Sequence, residues 1–168
     1  MGNPLDSRWY KGSLIMAPPT IVGTAYFVDA TNGASTNTGL DWNNALTTID
    51  DAINLCTADK GDVVYVAPWH TQNLTAVTDI VMDADGVSIF GLTDGTRIPI
   101  LTITVAAGNI AVSAPNCRIS GLEFVSACVD AGTTGAITAS AAADGLVVDN
   151  CIFRETLGSG GKYITFTQ

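Results

Sequence analysis

Glutamate is nearly absent from this 168-residue chain: only Glu123 and Glu155 occur. Lysine and arginine together number 7, and there is 1 histidine. A helical bundle draws on Leu, Glu and Lys for its faces, so this scarcity argues against one. Ala, Thr, Val, Ile and Gly dominate instead, a composition that suits strands and turns. The few basic residues face 16 acidic ones, for a net charge of −9. Such a surface repels phosphate, and no basic stripe with interleaved aromatics is present, so no nucleic-acid partner is expected. Apolar runs long enough to span a bilayer are missing too, so no membrane partner is expected. Residues 1–11 lack the apolar core of a secretory signal, which predicts synthesis in a cytoplasm without Sec export.

Paired cysteine motifs are also lacking. Cys56, Cys117, Cys128 and Cys151 form no C-x-x-C pair, and His70 stands alone, which argues against zinc. The cysteines read as buried free thiols that pack as small hydrophobes. His70, beside Trp69, reads as a packing or surface residue. No glycine spacing matches a phosphate-binding loop. Asp79, Asp83 and Asp85 are the densest carboxylate group, and Asp83-Ala84-Asp85-Gly86 has the start of a calcium loop. The later ligands and the closing Glu of such a loop are missing, so no cofactor is expected. Acid–base work needs two groups held at a defined separation. Asp149, near Asp144 and Arg154 in sequence, is the sole carboxylate on a strand face beside a basic residue, and nothing in the sequence pairs it. Arg118 and Arg154 read as surface charge.

What is present is a repeat. Asn116-Cys117-Arg118-Ile119-Ser120-Gly121-Leu122-Glu123-Phe124 alternates, turns at a glycine, and alternates again. Val87–Leu92 and Leu146–Phe153 have the same shape, and Val64–Pro68 is a fainter copy. Alternation points Cys117, Ile119, Leu122 and Phe124 inward, with Arg118, Ser120 and Glu123 outward. The copies align in columns: Val64, Val87, Cys117 and Leu146; then Val66, Ile89, Ile119 and Val148; then a corner column of Pro68, Gly91, Gly121 and Asn150. Leu92, Leu122 and Cys151 follow, and Phe124 lies over Phe153. The copies begin 23, 30 and 29 residues apart, a period that indicates a solenoid rather than an antiparallel sandwich. Loop insertions are expected near Thr93–Arg97 and Cys128–Gly135.

Ahead of the repeats, residues 1–24 read as an extended arm punctuated by Pro4, Pro18 and Pro19. Its large apolar residues, Trp9, Tyr10, Leu14, Ile15 and Met16, predict docking on its own domain or on a neighbour. Residues 25–168 form one domain, with a cap over 25–62 and coils over 63–168. Leu46, Ile49, Ile53 and Cys56 make one apolar stripe, which predicts a helix over about 46–57, capped by Thr47 or Thr48 and carrying Asp50 and Asp51 in its first turn. The Asp, Asn and Thr side chains of 29–42 read as partners of their own turn backbone.

The order Tyr26-Phe27-Val28-Asp29, an Asn32-Gly33 loop, Gly39-Leu40-Asp41-Trp42, a short helix and Val63–Pro68, followed by the coil motif of Ile119–Phe124 and Val148–Phe153, resembles the right-handed parallel β-helix proteins of the pectate-lyase-like superfamily. The resemblance covers roughly residues 25–155. It implies an all-β fold: a short right-handed parallel β-helix of about four coils with one N-terminal capping helix. Lyases, hydrolases, tailspikes and structural proteins share this superfamily. A short β-helix with an apolar arm looks like bacteriophage structural proteins, decoration or cement proteins above all. The expectation is therefore a non-enzymatic virion protein that self-associates, as a trimer, and docks on a major capsid or other virion protein. Its interaction residues are expected to be Trp9, Tyr10, Leu14, Ile15 and Met16 in the arm and Tyr163, Ile164 and Phe166 in the last strand. The alternative is a carbohydrate-binding or carbohydrate-cleaving β-helix, with Trp9, Trp42 and Trp69 stacking on a glycan.

Overall fold

The computed structural model describes residues 22–128 and 135–156, together with the backbone of 9–10, 13–14 and 164–166. Two short strands, β1 (Trp9–Tyr10) and β2 (Ser13–Leu14), pair antiparallel. Strand β3 (Ala25–Val28) leads through a 3-10 turn at Trp42–Asn44 to helix α1 (Ile49–Ile53). The coils follow: β4 (Val63–Val66), β5 (Thr71–Leu74) and β6 (Ile80–Met82); then β7 (Ser88–Gly91), β8 (Ile100–Ile103) and β9 (Ile110–Val112). Next are β10 (Arg118–Ser120), β11 (Glu123–Ser126) and β12 (Ile137–Ala139), then β13 (Val147–Asp149), β14 (Ile152–Glu155) and β15 (Ile164–Phe166).

From β4 onward every third strand pairs in parallel, and β3 pairs in parallel with β4. Sheet 1 runs β13-β10-β7-β4-β3, sheet 2 runs β14-β11-β8-β5, and sheet 3 runs β15-β12-β9-β6. The result is a right-handed parallel β-solenoid, four strands deep in two sheets and five in the third, with about three turns from its first rung to its last. Inward residues form continuous columns: Val64, Ile89 and Ile119 are fully buried, as are Leu101 and Phe124 in sheet 2 and Ile80 and Ile110 in sheet 3. Phe124 stacks on Phe153 at 5.1 Å between ring centroids.

The sequence register needs one correction. Val64 pairs with Ile89, not Val87, and Val66 pairs with Gly91, so the first copy is displaced by two residues. A displacement of two keeps every side chain on its face, so alternation alone does not detect it. Pro68 accordingly lies beyond the corner column, and Asp62 takes the place level with Val87: its carbonyl accepts from Ser88, as the Val87 carbonyl accepts from Arg118. The other copies align as expected, Ile119 with Ile89 and with Val148.

Gly121 and Asn150 turn the corners between sheets 1 and 2 with φ of 74° and 51°. The expected insertion near Thr93–Arg97 is the β7–β8 connection, residues 92–99. The second falls in the β11–β12 connection, of which 129–134 lie outside the described residues.

Helix α1 is shorter than its apolar stripe. Leu46 forms a parallel bridge with Val28, and Cys56 follows a turn. All four stripe residues still meet the core: Leu46, Ile49 and Ile53 are buried and Cys56 packs against it. Thr48 is the N-cap, its Oγ1 accepting from the Asp51 N–H at 3.1 Å. The helix packs on β3, β4 and β6 and closes the first rung.

Candidate functional site

Three surface features can meet a partner: the outer face of sheet 1, the clefts around Trp69, and the last rung. On sheet 1 the true register stacks Phe27, Tyr65 and Phe90, with centroids 5.7 and 6.1 Å apart. Trp42 meets Phe27 edge-on at 4.7 Å. The Arg118 guanidinium lies 5.4 Å from the Phe90 centroid and pairs with Asp149 on the next rung. The Ser120 hydroxyl, and after it Arg118, hold the Asp149 carboxyl below its ordinary value. Ser120, expected to point outward, is buried and hydrogen-bonds the Asp149 carboxyl. The aromatic ladder was hidden in the sequence by the two-residue displacement, which set Tyr65 beside Ser88. Aligning the copies on Val64 and Ile89 recovers it.

Trp69 is 56% exposed at the β4–β5 corner, with the Arg97 guanidinium over its ring. On one side it lines a cleft of about 240 Å³ with Thr71, Thr96, Arg97 and Glu123. On the other it joins Asp29, Thr31 and Asn32 in a second of about 280 Å³. Glu123 is mostly covered and pairs with Arg154 at 2.5 Å, so both arginines of the repeat are matched across rungs.

Beneath Trp69, His70 is fully buried. The Ala30 N–H donates to its Nδ1 at 3.1 Å, and its Nε2 lies 3.2 Å from Gln72 Oε1. The same Gln72 oxygen accepts from the Ile49 N–H at 3.2 Å. Burial pushes the imidazole below its ordinary value, opposed by Gln72 and by the Asp29 charge. Nothing in the sequence marked Gln72 as the partner, because the contact joins a strand to a helix start and a turn.

The carboxylates are largely occupied by backbone. Asp29 accepts from Thr31 and Asn32; Asp41 from Asn43 and Asn44; Asp94 from Thr96 and Arg97. Buried Asp62 accepts from Thr24 and Thr57 at 2.6 and 2.7 Å. The turn-capping expectation for 29–42 therefore holds at Asp29 and Asp41. Asp79 holds the Thr75 and Ala76 N–H groups in the β5–β6 corner, while Asp83 and Asp85 lie in the β6–β7 corner. Among the described residues no group of three or more His, Cys, Asp or Glu is placed to hold a metal ion. None of the four cysteines is in a disulfide; burial, and then Asp62, push the Cys56 thiol up to about 12, and burial raises Cys117 and Cys151. Such thiols stay protonated and are poor nucleophiles.

Among the described residues of the last rung, the core columns are less completely covered. Ile119, Cys117 and Phe124 are fully buried, whereas Val148, Leu146 and Phe153 above them are only partly so. On the outward faces of the same strands, level with Arg118 and Glu123, Val147 and Ile152 are 46% and 40% exposed. Of the expected interaction residues, Ile164 and Phe166 pair with Ile137 and Ala139 of β12 through the backbone. Trp9 and Tyr10 pair with Leu14 and Ser13, also through the backbone but antiparallel. Ile15, Met16 and Tyr163 lie outside the described residues.

The fold and this surface define a short parallel β-solenoid. Comparison with known proteins finds no matching family model, no similar curated protein and no similar solved structure. Among the described residues no helix is long and apolar enough to cross a membrane.

Proposed function

We propose that this chain is a structural assembly protein, a decoration or cement component of a virus particle, built to self-associate and to dock on a major capsid or other virion protein. The observation that carries the reading is the last rung, where side chains continuing a fully buried core are only partly buried and β13 and β14 have no strand on their outer edges among the described residues. Exposed edges of this kind pair with, or are covered by, another chain. The use of carboxylates as turn caps and cross-rung partners supports a scaffold rather than a reaction centre. Sedimentation velocity tests it. The full chain is expected to run as an oligomer, a trimer in the first instance, and to lose that state or its stability when residues 1–20 are deleted. A monomer indifferent to the deletion overturns the reading.

Exposed Trp69, between two clefts with an arginine, a glutamate and threonines, favours a second reading as a carbohydrate-binding or carbohydrate-cleaving β-helix. A glycan screen with and without calcium separates the two. Binding abolished by Trp69→Ala, or cleavage abolished by joint alanine substitution of Asp79, Asp83 and Asp85, supports the second.

A further inference from the structure

We propose that His70 is a proton-operated latch for the N-terminal cap: neutral, it holds the 29–33 turn and, through Gln72, the start of α1 on the first rung, and protonated, it releases the turn. The geometry sets the tautomer. Because the Ala30 N–H donates to Nδ1, that nitrogen must be the acceptor. The imidazole proton then sits on Nε2, facing Gln72 Oε1. Gln72 Oε1 passes the connection to α1 by accepting from Ile49. One neutral ring thus joins three elements that are remote in sequence.

A second proton can enter only at Nδ1. It would place an N–H against the Ala30 N–H, two donors with no acceptor between them, and a cation in a fully buried site. The charged groups on the surrounding elements are Asp29 on the turn, Asp50 and Asp51 on α1, Asp94 and Arg97 on the β7–β8 connection, and Glu123 on β11. Asp50 accepts from Val81 and Asn54, and Glu123 pairs with Arg154. Asp29 is the one whose charge acts on the ring, and its oxygens are committed to Thr31 and Asn32. Pairing Asp29 with an imidazolium would require the turn to open. Protonation therefore drives the turn away from the rung, and burial, which lowers the affinity of the closed state for a proton, favours the same outcome.

His70 is the only histidine, so its ring signals in an NMR titration need no assignment strategy. Amide exchange measured alongside tests the latch. Below the ordinary imidazole value of 6.5, protection of the Ala30 amide is expected to fall about tenfold per pH unit until the folded value is reached, while the Ile119 amide holds its protection. His70→Gln should abolish that slope, and Asp29→Asn, by lowering the folded value, should extend its lower end to lower pH. Ala30 protection that stays flat while the ring titrates overturns the latch, as does an unchanged slope in His70→Gln. If that variant does not fold, a midpoint unmoved by Asp29→Asn overturns it.

Discussion

At the scale of single residues, the corners carry the strictest demands. Gly121 has a φ of 74°, and a Cβ placed on it would lie 2.5 Å from the Gly91 carbonyl oxygen on the rung below. Both faults are backbone-level, so no side-chain rotation relieves them. Left-handed backbone alone costs a Cβ-bearing residue about 1–2 kcal/mol. Gly121→Ala is therefore expected to lose more than about 2 kcal/mol in urea unfolding. Asn150 occupies the equivalent corner at φ 51°. Asn150→Gly should be within about 0.5 kcal/mol of the parent, and Asn150→Ala about 1 kcal/mol below it. Equal losses for the two substitutions would show that the corner is not what Asn150 supplies. Phe124, fully buried and stacked on Phe153, should lose about 3–5 kcal/mol as alanine.

The latch also makes a residue-scale prediction about stability. A histidine whose folded pKa is lowered contributes fully above its unfolded value. The contribution of His70 is thus complete above 6.5 and declines as the pH falls through that value towards the lowered one. Urea midpoints between pH 7.5 and 5.5 should fall more steeply for the parent than for His70→Gln. Parallel lines would remove His70 as the cause.

Among the elements, α1 is the one that repetition does not generate. Five residues are too few to be helical alone, and what holds them is tertiary. Ile49, Ala52 and Ile53 are buried against the first rung, Gln72 accepts from Ile49, and Asp50 accepts from Val81. Thr48→Ala, which removes the cap at Asp51, should cost about 1 kcal/mol by urea unfolding. A change below about 0.3 kcal/mol would mean that these tertiary bonds alone hold the helix start. The strands show the same division between local signal and context. Cys117 to Phe124 reads as a rung because alternation, a glycine and alternation again are all local. The pairing of Val64 with Ile89 does not, because a shift of two preserves every facing. The Phe27–Tyr65–Phe90 ladder was lost with it.

On the scale of the whole molecule, the two ends of the solenoid differ. The N-terminal end is closed by α1 and latched by His70, while the core columns of the last described rung, Leu146, Val148 and Phe153, are only partly buried. A net charge of −9 keeps such an apolar end from indiscriminate association, and an oligomer must overcome that repulsion. Self-association is accordingly expected to strengthen with ionic strength; weakening on added salt, read by sedimentation, would point to an interface held by charge instead of the exposed rung.

By itself the sequence determined the fold class, the inward columns, the glycine corner and the apolar stripe of the cap, because each is written in neighbouring residues through a period of two or of one coil. Tertiary structure alone decided the first rung's register, the pairing of Arg118 with Asp149 and of Arg154 with Glu123, and the burial of His70 between Ala30 and Gln72. Those contacts join residues a full coil or more apart, or bring a turn, a helix start and a strand to one point. No local pattern encodes such distances; only the stacking of one coil on the next creates them.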